Sequence, residues 1–241
     1  MVEQTSFTSS RVQRDHFCKC KDAILLPILR GINIINSANF HAILMPALYG
    51  AEAFHLVSRG IPASNLFSIE NNSVENGFDV HSEIVACNLP DRQELKGMRT
   101  TGKPERLSRA LDEAYWCFDG QPYNLIYLDF LSRPDYETHY RNGLLKIMKA
   151  GMLAKDSTMI LNFGKNRCRR LTAEFNNDLI DAVDIAGIDT EGSVPTEVYI
   201  GAAIKESRHQ PYKEMFTKSY LSKEGRVIEY STTVVKFKEI L

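Results

Sequence analysis

The sequence predicts an α/β fold: a mostly parallel sheet with helices on both faces, closed by a C-terminal antiparallel hairpin. Three observations carry that expectation. From Phe40 to Glu70 the chain reads FHAILMPALYGAEAFHLVSRGIPASNLFSIE, which is an apolar run, a tight turn, a helix-like segment and a second apolar run. That pattern is a strand–helix–strand unit, and its two strands pair in parallel. Downstream, strand-like and helix-like segments keep alternating, which buries a parallel sheet between two helical layers. At the end, Glu214 to Leu221 and Val227 to Phe237 alternate in polarity and are joined by SKEGR, an antiparallel hairpin.

Each element has a local cause. The first ten residues are small and polar, without periodicity, and are expected to be disordered. Arg11 to Arg30 carries Phe17, Ile24, Leu25, Ile28 and Leu29 at helical spacing, with Pro27 marking a kink or a boundary. Asn33 to Asn39 is an Asn-rich connector. Strand one ends at Pro46, Gly50 lies in the turn, and Ala51 to Arg59 is helical until Gly60, Ile61 and Pro62 break it. Strand two ends at Glu70. Ser73 caps a candidate helix toward Leu95, interrupted by Gly77 and Pro90.

A short third strand spans Gly97 to Thr101, and Pro104 opens a helix through Phe118 with Leu107, Ala110, Leu111 and Ala114 on one face. Tyr123 to Leu131 (YNLIYLDFL) is a strand buried on both sides. A helix from Tyr136 to Leu153, a strand from Ser157 to Phe163, a helix from Leu171 to Ala186 and a helix from Glu197 to Ser207 complete the alternation. The division expected is a tail and helix over residues 1–39 and one α/β domain over residues 40–241.

Composition bounds the partners. A length of 241 residues with 44% apolar and 10% aromatic residues suits one domain with a full core. The formal net charge of -1 supplies no global attraction for nucleic acid or anionic lipid, so such affinity needs a local patch. No apolar run approaches the roughly 20 residues of a membrane-spanning helix. The polar start MVEQTSFTSSRVQRDHFCKCKD lacks the apolar core of a signal peptide, so a cytoplasmic protein without a membrane partner is expected. Five cysteines (Cys18, Cys20, Cys87, Cys117, Cys168) are odd in number and scattered. A lone CxC beside His16 is a poor zinc signature, and reduced thiols with no metal are expected.

The chemistry-bearing residues gather at predicted strand ends. Ligands of such sheets bind beyond the carboxyl ends of the strands, where an acid commonly holds a ribose. Glu70, followed by Asn71 and Asn72, stands there; a capping or surface acid is its plain alternative. Asp129 follows buried residues and opens the loop DFLSRPD, a placement that avoids a charge in mid-core. GKNRCRR sets Lys165, Arg167, Arg169 and Arg170 just past the next strand, either as a phosphate-binding patch or as a solvated face. His41, His55, His81, His139 and His209 lack ligand-like spacing, and packing or surface roles are the default. YxSxxG at Tyr220, Ser222 and Gly225 reads as turn chemistry. No GxxxxGK[ST] loop and no Ser–His–Asp order is present.

This order of elements and these motifs resemble the class I S-adenosylmethionine-dependent methyltransferase superfamily. PALYGAEAF stands where that family has its glycine-rich first motif, and SIENN supplies the acid closing strand two. TTGKP lies where the family contacts adenine, and NLIYLDF matches its fourth motif, whose acid faces the reaction centre. More narrowly, the chain is similar to methyltransferase-like proteins of plasmids and phages, with LDF closing strand four. Over about residues 40–240 the resemblance implies a Rossmann-like methyltransferase fold, a mostly parallel seven-stranded sheet with a C-terminal antiparallel hairpin. It implies S-adenosylmethionine as cofactor, held by Pro46, Ala47, Gly50, Glu52, Glu70, Asn71, Gly102 and Asp129. It implies Asp129 and Phe130 as catalytic residues, and a nucleic-acid acceptor met by Lys165, Arg167, Arg169 and Arg170.

Two departures favour a rival. The family's first motif is acidic-x-Gly-x-Gly, whereas here only Gly50 is a glycine; Glu52 replaces the missing acid near the methionine amine, or simply favours a helix N-terminus. The acidic-Pro-Pro-aromatic tetrad of amino-methylating DNA enzymes is replaced by Asp129, Phe130, Leu131 and Ser132. The rival is a catalytically degenerate binding or scaffold subunit of a larger assembly with a protein partner. An NAD-linked enzyme is disfavoured, because a pyrophosphate needs close approach of several amides.

Overall fold

A computed structural model describes residues 25–45, 51–69, 95, 97–100, 107–130, 136–164, 195–207, 212–224 and 226–237. Residues 25–30 form a helix, α1. Then follow Ala42–Leu44 (β1), Ala51–Ser58 (α2), Leu66–Ser68 (β2), Arg99–Thr100 (β3), Leu107–Cys117 (α3) and Tyr123–Phe130 (β4). A helix that is π-helical over Tyr136–Leu145 and α-helical over Lys146–Lys149 (α4) leads to Leu153–Gly164 (β5), Pro195–Ser207 (α5), Tyr212–Glu224 (β6) and Arg226–Phe237 (β7). The helix expected from Ser73 toward Leu95, save for Leu95 itself, and the helix expected over residues 171–186 lie outside the described residues.

The strands form one seven-stranded sheet in the order β3-β2-β1-β4-β5-β7-β6. Neighbours from β3 through β5 pair in parallel, and β7 runs antiparallel to both β5 and β6. Ala42 pairs with Leu66 on one side and Leu125 on the other, which puts β1 at the centre of the parallel half.

Period-two alternation divides the strand residues between two apolar cores. Ile43, Ile126, Leu128, Met159, Leu161, Phe163 and Val235 face a core built with α3, α4 and α5. Ala42, Leu44, Leu125, Tyr127, Ile160 and Val234 face a second core with α1 and α2. Helices therefore cover both faces, and α1 contributes Leu25 and Leu29 to the same core as α2.

Three helices end by the same device, a residue in the left-handed region. After α2, Gly60 has φ 87° and the Ile61 N–H donates to the Leu56 carbonyl at 3.3 Å. After α3 the residue is Asp119, with Gly120 donating to Tyr115. After α4, Gly151 has φ 64° and Met152 donates to Ile147. This last cap corrects the helix expected to reach Leu153, since the helix stops at Lys149 and Leu153 opens β5. Met152 and Leu153 keep an apolar spacing because they enter the core, not because the helix continues. The SKEGR join is also shorter than expected: β6 continues to Glu224, which pairs directly with Arg226.

Polar side chains lock the layers. The Arg59 guanidinium donates to the carbonyls of Leu29 at 2.6 Å and Ile32 at 2.8 Å, satisfying the end of α1 with a cation. Lys146 bridges α4 to α3 through the Ser108 carbonyl at 2.8 Å and Asp112 at 2.6 Å. Glu206 of α5 accepts from Lys149 at 2.9 Å and from the Tyr140 hydroxyl at 2.8 Å. Burial pulls the Glu206 pKa upward, but the hydrogen bonds from Lys149 and Tyr140, with the charges of Lys149 and Arg141, outweigh it and hold the carboxyl below its ordinary 4.5. A depressed folded pKa contributes stability that is full above the unfolded value and is lost as pH falls through the folded one. Glu206→Gln is therefore expected to cost roughly 0.5 kcal/mol near neutrality, a small value because the pair is half exposed. Urea unfolding of both forms should show that difference vanish well below pH 4.5.

Candidate functional site at the carboxyl edge of the sheet

The carboxyl ends of β1, β2 and β4 come together through backbone hydrogen bonds just beyond the strands. Met45 N–H donates to the Tyr127 carbonyl at 3.0 Å, and Ile69 N–H to the Leu44 carbonyl at 2.8 Å. Asp129 and Phe130 are the last two residues of β4, at this edge. Alternation sends them to opposite faces. Leu128 belongs to the α3–α5 core, so Asp129 faces the α1–α2 side and Phe130 the other.

Asp129 is held from two directions. Its N–H lies 3.3 Å from the Met45 thioether. Its Oδ1 accepts from the Asn162 amide at 2.6 Å, and the Oδ1 of Asn162 accepts from the Thr232 hydroxyl at 3.1 Å. The backbone register explains this row: Asp129 pairs with Asn162 across β4 and β5, and Asn162 with Thr232 across β5 and β7. Asn162 is 1% exposed and Thr232 5%. Side chains standing opposite on adjacent strands meet in this way.

Other polar groups share that rim. Ser68 closes β2, is buried, faces the α1–α2 side, and has a hydroxyl with no hydrogen-bond partner among the described residues. Glu52, in the first turn of α2, is also buried. The helix following β1 starts at the carboxyl edge, so Ser68, Asp129, Asn162 and Glu52 lie at one end of one face.

On the other face Phe130 stacks on Phe163, with ring centroids 5.0 Å apart, and meets His139 edge-on at 4.4 Å. His139 comes from the π-helical part of α4 and also meets Phe163 at 5.3 Å. Its role is packing, the default expected of it, but packing at the site.

The remaining site residues expected from the sequence, Pro46, Ala47, Gly50, Glu70, Asn71, Gly102, Lys165, Arg167, Arg169 and Arg170, lie outside the described residues. Sequence reasoning missed Met45, Asn162 and Thr232. Asn162 left one faint signal, a lone amide inside the apolar run STMILNF. Among the described residues no group of acidic, His and Cys side chains is placed to hold a metal.

The amino edge carries different chemistry. Arg99 lies over the Phe118 ring at 4.7 Å and donates to the Cys117 carbonyl, and His41 packs on Phe118 at 4.6 Å. Burial, then the Arg99 charge, lowers the His41 pKa and keeps the ring neutral at pH 7. An open groove of about 650 Å³ adjoins this cluster between α3 and β2–β3, lined by Arg99, Arg109, Asp112, Glu113 and Trp116 among others. Its arginines are balanced by its acids, so charge does not single it out.

No protein-family model matches the chain. A search of curated proteins finds no match. Solved structures do match. The methyltransferase domain of bacterial CtHen1-C is 9% identical with TM-score 0.52, covering 91% of this chain and 97% of that one. This chain shares its fold with that domain. A SAM-dependent O-methyltransferase of Thermotoga maritima is 12% identical with TM-score 0.42, covering 92% of this chain and 66% of its own. An O-methyltransferase family protein of Burkholderia thailandensis is 14% identical with TM-score 0.40, covering 94% and 60%. Among the described residues, no helix is long and apolar enough to cross a membrane.

The two aromatic rings differ in what they support. Phe163 is 1% exposed inside the core, whereas Phe130 is half-buried at its margin. Phe163→Ala is expected to cost about 3 kcal/mol and Phe130→Ala about half that, measured by chemical denaturation. Equal losses would place Phe130 within the core instead of at its edge.

Proposed function

We propose that the chain is an S-adenosylmethionine-dependent methyltransferase whose cofactor lies across the carboxyl ends of β1, β2 and β4. The observation that carries this reading is the set of hydrogen-bond acceptors on one face of that edge, in a sheet of methyltransferase order. When bound, S-adenosylmethionine supplies an electrophilic methyl on a sulfonium sulfur. The chain's own acceptors suit the donors of such a ligand: Asp129 and Glu52 carry carboxylates, and the Ser68 hydroxyl has no partner among the described residues. In this reading Glu70 and Asn71 hold the ribose, Pro46, Ala47 and Gly50 shape the turn against the methionine portion, and Gly102 lies by the adenine. Asp129 and Phe130, which close β4 on its two faces, are the residues assigned to catalysis at this edge. Alignment of nucleophile, methyl and sulfur with exclusion of water does most of the work, so the reaction needs no strong general base.

The acceptor proposed is nucleic acid, met by Lys165, Arg167, Arg169 and Arg170. The low-glycine first turn sustains one second reading, a scaffold subunit that keeps the fold and binds no cofactor.

Thermal melting separates the two. S-adenosylhomocysteine at about 100 times its Kd stabilises by about 2.7 kcal/mol, which raises the midpoint of a chain of this size by about 5–10 °C. Glu70→Ala is expected to abolish that rise while leaving the ligand-free midpoint in place. A midpoint that does not move at millimolar ligand selects the scaffold. For the acceptor, the protein is expected to be retained on a nucleic-acid matrix at low salt and released by charge reversal at Arg167 and Arg169. Absence of retention at low salt removes the nucleic-acid reading.

A further inference from the structure

Asn162 and Thr232 are polar and buried, belong to no motif of the proposed site, and yet are hydrogen-bonded to it. The direction of their hydrogen bonds is forced. A carboxylate only accepts, so Asn162 must give its amide N–H to Asp129 Oδ1. The Asn162 carbonyl oxygen then points away and needs a donor, which the Thr232 hydroxyl provides. One hydroxyl on the antiparallel strand β7 thus fixes an amide on β5, and the amide fixes which oxygen of Asp129 is engaged. Both intermediates are buried, so water does not replace either link without cost.

We infer that Asn162 and Thr232 are positioning residues, a two-step hydrogen-bonded chain that holds the Asp129 carboxylate in the orientation that receives the ligand. The inference rests on the reading of Asp129 as a ligand contact. It adds that the β6–β7 hairpin governs binding through Thr232. The ligand it implies brings a hydrogen-bond donor to Asp129, an ammonium or a hydroxyl, because the Asn162 amide leaves the carboxylate an acceptor.

The test is calorimetric titration of the full chain with S-adenosylhomocysteine, supported by a double-mutant cycle. Asn162→Leu is expected to weaken binding about tenfold, the order lost when a hydrogen bond to a charged group is removed. In an Asp129→Ala background the same substitution is expected to have no further effect, since Asn162 acts only through that carboxylate. Thr232→Val should weaken binding several-fold, whereas Thr232→Ser, which keeps the hydroxyl, should restore it. That pair serves if Asn162→Leu fails to fold, because both replacements suit a strand. A merely structural role predicts equal losses with and without Asp129, and no rescue by serine. Binding that Asn162→Leu and Thr232→Val leave unchanged, or weaken equally in both backgrounds, overturns the positioning chain alone. No binding by the unsubstituted protein overturns the cofactor reading and this one with it.

Discussion

Over most of their length the central strands of this sheet have no solvent-facing side, and that constraint organises the rest. Along β4 and β5, successive residues enter one apolar core or the other, with Leu125 and Tyr127 on one face and Ile126 and Leu128 on the opposite one. A polar side chain placed there would lose its hydration without recompense. Charged groups on β4 therefore stand where the strand ends, and the buried polar groups beside them are hydrogen-bonded to one another. Asp129, Asn162 and Thr232 do so in one register row across three strands. The same rule that makes the core apolar concentrates the chemistry at the carboxyl edge.

The helices that seal those faces are held by end chemistry as much as by apolar packing. Left-handed residues at Gly60, Asp119 and Gly151 turn the chain from helix back toward strand. Asp is one of the few side chains that tolerates that conformation, which is why Asp119 stands where glycine does elsewhere. The π-helical stretch of α4 fits this account. A wider turn shifts side-chain phase relative to an ordinary helix, and in this stretch His139 lies against Phe130 and Phe163. Such irregular turns are common beside functional sites, and this one borders the last residue of β4.

Much of this was legible in the sequence, for reasons that are local. Apolar runs of strand length, a proline near a helix start and glycine after a helix end are each set by a few neighbouring residues. They gave α2 almost to the residue, and β4 nearly so. The end of α4 was misjudged because Met152 and Leu153 continue an apolar spacing; only the positive φ of Gly151 reveals the change of direction. For the site, Asp129 was legible as an acid closing a buried strand. Its partners were not, because which residue of β5 stands opposite Asp129 is fixed by pairing across distant strands. The β7 partner is farther still: Thr232 is one of several hydroxyl residues in the STT stretch, and the register alone selects it.

The chemistry of the rim also bears on how a glycine-poor turn can serve a nucleoside ligand. Glycines in such turns bring backbone amides close to an anion, above all a pyrophosphate. S-adenosylmethionine has no phosphate, and its charged groups include a sulfonium and an ammonium. For those, amide donors matter less than well-placed acceptors. In the proposed site, carboxylates at the start of α2 and the end of β4, the latter hydrogen-bonded to a buried amide, are the side chains assigned to that need. Loss of glycines from the first turn therefore removes less from a methyl-transfer site than it would from a dinucleotide site. The proposed site accordingly places its functional weight on the acids, and on the strand residues inferred to aim them.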